Sequence, residues 1–255
     1  MSTDPRADAV RAATALALAV AQPLSTRLAR WTGRGTPEVE QAAATEGPVT
    51  PAGGAFVIWA PLFAGSLAHA SAEAGRVRAG LPSAGAAGWW ANAALAGNVA
   101  WSLNSQFRRL DEVSVALILG SAAAATTAAA LAERGRAGPA STGLARSFGP
   151  LAGWLCVAGV ANVETTLNLR RGRPRDAAAE ERRAVLLVAT ASAIGSAATV
   201  AVRGNPLFTL AAGWGLGGIA VKALRHRRTP VAIAAGLAGL ALAAAGAGAR
   251  ASALR

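Results

Sequence analysis

The chain has 255 residues, 53% hydrophobic and only 15% charged, against about 25% charged in an average soluble domain. Its net charge is +12. The basic residues lie between apolar runs, with no basic stripe interleaved with stacking aromatics as a single-strand binder needs, so nucleic acid is not an expected partner. Cys156 is the single cysteine, which excludes an intramolecular disulfide and a cysteine metal site.

Clusters of charge leave eight nearly uncharged intervals: Ala12–Thr26, Gly47–Ala72, Ala79–Phe107, Val113–Ala132, Ser147–Val163, Ala184–Val202, Gly204–Val221 and Thr229–Ala249. A hydrocarbon core about 30 Å thick is crossed by about 20 residues of helix. The expected fold class is therefore all-α, a polytopic membrane protein. The competing reading is a water-soluble, alanine-rich helical bundle, whose helices carry charge along one face at the helical period. Val113–Ala132 and Ala184–Val202 carry none on any face.

Taken in order, Val10–Ala29 predicts a first helix that Pro23 kinks or ends. Trp31–Thr50, with Gly33, Gly35, Pro37 and Pro48, reads as a surface loop. Trp31 and Trp89–Trp90 read as interfacial anchors. Two basic loops follow later in the chain, one at Arg170–Arg183 and one at Lys222–Arg228. Their positions suit the cytoplasmic face of a bacterial membrane, and the first could dock a partner protein or contact anionic lipid. Small residues recur on single faces, at Gly213-x-x-x-Gly217 and through Gly236–Gly248, which predicts close helix packing and leaves a homodimer open.

The residues that carry chemistry are few. His226 sits in a basic cluster. His69 has Glu73 one turn on and reads as an interfacial histidine, with metal or haem ligation as the alternative. The Ser and Thr residues of Ser121–Thr127 are expected to bond back to their own helix. No nucleophile–base spacing and no phosphate-cradling glycine loop occurs, so a non-enzymatic protein is expected. Glu164, just past Val163, is the one carboxylate interrupting an otherwise apolar span. It reads as an interfacial acid paired with Arg171 seven residues later, with a proton or cation-ligand role as the alternative.

Aromatic and amide groups inside the intervals stand out. Phe56, Trp59 and Phe63 share a helical face, as do Asn98 and Trp101, and as do Trp154, Ala158 and Asn162. A carboxamide in hydrocarbon must find a partner, and an indole offers one N–H on a flat apolar body. Either these groups are interhelical packing and hydrogen bonds, or they line a pocket for a flat, mainly apolar ligand.

The stretch Pro51-Ala-Gly-Gly-Ala-Phe56-Val-Ile-Trp59-Ala-Pro-Leu-Phe63 resembles the aromatic signature of the TspO/MBR family, the tryptophan-rich sensory or translocator proteins. Asn98-Val-Ala-Trp101-Ser102 resembles that family's Asn-x-x-Trp-Ser element, and Ser121–Thr127 its small-residue helix. Pro150-Leu-Ala-Gly-Trp154, Ala158, Asn162 and Asn168 resemble its final helix. Phe63 and Leu151 stand where the family carries Tyr, Ala161 where Leu is common, and the family's Trp- and Lys-bearing lid motif is not found in Trp31–Thr50.

The resemblance implies a five-helix core over residues 1–170, a basic loop at 171–183 and a three-helix extension at 184–255. It also implies an interior pocket that binds porphyrins, haem or other flat lipophilic molecules in a sensory or regulatory role. Carried over by position, Trp59, Asn98, Trp101, Trp154, Ala158, Ala161 and Asn162 would face it, joined by Phe56 and Phe63 from the aromatic stripe. The alternatives are a small secondary transporter of a lipophilic solute and a non-catalytic membrane partner.

Overall fold

The computed structural model describes residues 4–37, 40, 47–108, 110–135, 138–171 and 176–253. All regular structure among them is helical: α1 (Pro5–Ser25), α2 (Leu28–Thr32), a 3₁₀ turn (Gly53–Ile58), α3 (Trp59–Arg78), α4 (Gly85–Phe107), α5 (Glu112–Arg134), α6 (Pro139–Arg171), α7 (Ala177–Ala201), α8 (Pro206–Arg225) and α9 (Thr229–Ala253). Side chains that satisfy first-turn N–H groups set several of the starts. Asp4 accepts from Arg6 N–H ahead of Pro5, and Asp111 forms a reciprocal capping box with Ser114. Asp176 caps α7 and Asn205 caps α8 ahead of Pro206. Pro23 lies inside α1, which ends two residues later.

Among the described residues, six helical segments are long and apolar enough to cross a membrane: the 3₁₀ turn with α3, and α5 through α9. This makes the chain a multi-pass membrane protein. The sequence predicts eight spans, and the two that fall short are α1 and α4. The start of α1 carries Arg6, Asp8 and Arg11, while α4 carries Asn92, Asn98, Asn104 and Gln106, all four buried. Both are nevertheless full members of the bundle. Helix α1 packs on α3 and α4, α4 on α5, α5 on α6, and α6 on α3. These contacts close a ring of five in the order α1–α4–α5–α6–α3.

Helix α6 is the hub, with 72% of its most apolar stretch buried. Its other side meets the extension, where α9 packs on α7 and α8, and both of those meet α6. The α6–α8 crossing is close because glycine permits it. A Cβ on Gly153 would collide with the Phe208 carbonyl oxygen, and one on Gly149 would lie 2.9 Å from the Asn205 amide. Close backbone approach gains van der Waals contact where lipid gives helices no hydrophobic reason to associate.

The sequence places this packing at Gly213 and Gly217, and there the structure differs. Nothing lies within 4 Å of a Cβ built on either, whereas Gly215 meets Val157, and Gly218 meets Pro51 and Ala55. At about 100° per residue, Gly213 and Gly217 fall on the outward side of α8 and their neighbours on the inward side. In α9, Gly246 meets Thr199 and Thr209, while Gly236, Gly239 and Gly248 face open space.

The expected surface loop Trp31–Thr50 is also corrected in part. Trp31 and Thr32 end α2, and Trp31 is exposed. Residues 38, 39 and 41–46 lie outside the described residues. Gly47–Thr50, however, are buried, and Val49 has no exposed surface. A loop this deep needs partners for its backbone polar groups, and α6 and α8 supply them.

Candidate ligand cavity

At one end of the ring, Thr50, Pro51, Phe56 and Trp59 face Trp101 and Ser105 of α4, Leu110, Ile118 of α5, and Trp154, Ala158, Ala161, Asn162 and Thr165 of α6. They enclose a cavity of about 80 Å³. Of the residues expected from the sequence, Phe56, Trp59, Trp101, Trp154, Ala158, Ala161 and Asn162 are thus brought together. Phe63 does not reach the cavity; it stacks on Trp59, with centroids 5.4 Å apart. Asn98 is buried one turn before Trp101, away from the lining, and its Oδ1 has no partner among the described residues.

Interhelical hydrogen bonding, one of the two readings of the aromatic and amide groups, occurs within the lining itself. The Trp101 indole Nε1–H donates to Asn162 Oδ1 (3.0 Å), and Asn162 Nδ2 donates to the Ala158 carbonyl (3.2 Å). That pair is an interhelical bond tying α4 to α6. Trp154 differs: its side chain is wholly buried and its Nε1–H has no acceptor among the described residues. Phe56 and Trp59 meet its ring edge-on at 5.6 Å and 6.0 Å, a geometry favoured by the ring quadrupole. The result is an apolar aromatic corner holding one unused donor.

Sequence reasoning missed Thr50, Pro51, Ser105, Leu110, Ile118 and Thr165 in the lining. Ser105 is four residues past Trp101 and Thr165 seven past Ala158, so the helical period could have found both. Thr50 and Pro51 carried no such signal, because a buried loop has no periodicity.

The segment carrying Thr50 and Pro51 is held from behind. Val49 N–H donates to Glu164 Oε2 at 2.9 Å, and Lys222 Nζ donates to the Gly47 carbonyl at 3.1 Å. Ala52 N–H donates to the Gly218 carbonyl at 3.0 Å, and Trp214 Nε1–H donates to the Ala55 carbonyl at 2.8 Å. A side chain at position 47 would collide with the Glu164 carboxylate.

Glu164 is therefore not the snorkelled partner of Arg171 expected from sequence. It has no exposed surface, while Arg171 lies exposed. The carboxylate sits about 200° around α6 from Asn162 and so points away from the cavity, toward the loop and the extension. Its Oε1 has no partner among the described residues, and the charges of Arg183, Glu180 and Lys222 face it. Lys222 is likewise not a solvated loop residue; it lies in the last turn of α8 and is buried.

The other chemical candidates have structural settings. His69 is buried with its ring edge-on to Phe148 at 5.4 Å. Ser121, Thr126 and Thr127 each donate to the carbonyl four residues back. Among the described residues no group of three or more His, Cys, Asp or Glu could hold a metal ion.

A helical ring with an aromatic-walled cavity at one end, built into a multi-pass bundle, defines an all-α polytopic membrane protein. The family model for TSPO-like protein matches residues 9–247, and the chain belongs to that family. The match runs through α7, α8 and most of α9 as well as the ring. No curated protein and no solved structure matches the chain.

Proposed function

We propose that the protein is a non-enzymatic sensor or regulator of a bacterial cytoplasmic membrane, binding a flat, mainly apolar ligand of the porphyrin kind in the cavity at one end of the ring. The observation that carries this reading is the Trp154 indole N–H, buried without an acceptor among the described residues in the wall of an aromatic cavity. An unpaired buried donor costs about 1–3 kcal/mol, and a ligand carrying an acceptor at that point recovers it. Ring surface buried against Phe56, Trp59 and Trp154 would add about 25 cal/mol per Å². Membership of the TSPO-like family supports the same reading.

The closed cavity does not accommodate a tetrapyrrole. At about 80 Å³ it is well below the roughly 300–1,000 Å³ of typical ligand pockets. A ligand of that class needs the walls to part.

Titration of the purified protein with protoporphyrin, read as quenching of tryptophan fluorescence, tests the site. Trp154→Phe keeps an aromatic ring and loses the donor, and should weaken binding about tenfold. Trp154→Ala should weaken it further while the protein stays folded in the membrane. Equal quenching in all three proteins would remove the site.

A further inference from the structure

The backbone from Thr50 to Phe56 has a cavity on each side. Thr50, Pro51 and Phe56 line the enclosed 80 Å³ space. Ala52, Gly54 and Ala55 line a second one, an open groove of about 970 Å³ running along α8 and α9 past Gly213, Gly217, Gly239 and Gly246. This stretch of backbone lies between them. Gly213, Gly217 and Gly239, where an added Cβ would meet nothing within 4 Å, floor this groove.

We propose that this partition is a gate, and that a flat lipophilic ligand reaches Trp154 sideways from the bilayer, through the groove, when the partition swings away from α8. The inference rests on the ligand reading above and deepens it, because displacement of the partition joins the two spaces into one large enough for a drug-sized ligand. The build of the segment suits such a movement. It has Pro48, Pro51, Gly53 and Gly54 in seven residues, and it ends in a 3₁₀ turn, whose hydrogen bonds are poorer than those of an α-helix and which often marks a hinge. The hold on it is discrete: Glu164 at Val49, Lys222 at Gly47, Gly218 at Ala52 and Trp214 at Ala55. Three of those four partners belong to α8, so the extension is what keeps the ring's cavity shut.

The test reads cavity access without relying on any ligand. In a Cys156→Ala background, Ala158→Cys places a reporter thiol on the cavity wall, and its labelling by a lipid-partitioning pyrene maleimide is followed in nanodiscs by peptide mass spectrometry. Trp214→Phe removes one hydrogen bond to the partition and should speed labelling about fivefold. Ala55→Cys with Gly218→Cys closes the gate covalently. Their Cβ positions lie 2.8 Å apart, so a disulfide forms once the two backbones part by about 1 Å. Against an Ala55→Ser, Gly218→Ser control of equal bulk, the crosslinked protein should label at least about tenfold more slowly. Equal rates in the crosslinked and control proteins overturn the gate, as does a Trp214→Phe rate equal to that of the parent. Gated labelling in a protein that never quenches with protoporphyrin leaves the gate standing and removes the porphyrin reading instead.

Discussion

Two buried polar seams cross the bundle, and they are built on different terms. In the first, Arg11 of α1 bonds Asp8 at 2.6 Å and Glu73 of α3 at 3.0 Å, while Glu73 also accepts from Ala84 N–H and Asn92 Nδ2 donates to the Arg11 carbonyl. Charge meets charge, and the groups joined are themselves parts of helices or lie at their ends. In the second, Glu164 and Lys222 each bond the backbone of a loop. The first seam rivets rigid rods together. The second holds a segment with no ladder of its own, so that segment can leave while the rods stay where they are.

Breaking the first seam should produce the largest effect. Arg11→Met removes the cation that the buried Glu73 carboxylate bonds, and loss of one member of a buried pair costs about 3–5 kcal/mol. The expected result is a large fall in thermal midpoint in detergent, or failure to accumulate in the membrane fraction. A smaller loss is expected at the ring wall. Asn162→Leu strips the Trp101 indole of its acceptor, which should cost about 1–3 kcal/mol and appear as a moderate drop in the same midpoint. The second seam should respond least. Glu164→Gln keeps an oxygen for Val49 N–H but loses the charge that strengthens the bond, a difference of about 1 kcal/mol. Its thermal midpoint should stay close to that of the parent, while amide exchange at 47–50 should quicken. A fall in midpoint as deep as that of Arg11→Met would make the two seams alike and end the comparison.

How much of this was legible in the sequence depends on whether a residue sits in a periodic element. The cavity wall from Trp154 to Asn162 could be read because steps of four on a helix put side chains on one face. The same rule failed at Gly213 and Gly217. Spacing shows which residues share a face but not which way that face points, and here the inward face was the one bearing Gly215 and Gly218. Lys222 looked like the start of a basic loop because charge at a span's end usually meets water; only the fold shows that the Gly47 carbonyl lies beside it. Trp214 gave no warning either, since its partner is a backbone carbonyl in a distant loop. Glu164 was visible as an anomaly but not in its role, because the group it binds is a peptide N–H, which every residue but proline offers.

The separations in sequence carry a consequence for synthesis. Trp214 is 159 residues downstream of Ala55, and Lys222 is 175 downstream of Gly47. At about 5–20 residues per second, roughly ten to thirty seconds pass between the emergence of the loop and that of the helix that captures it. For more than half of that time the α6 wall that carries Trp154 is itself still to be made. The loop therefore waits first for the α6 wall and then, one intervening helix later, for the α8 groups that latch it.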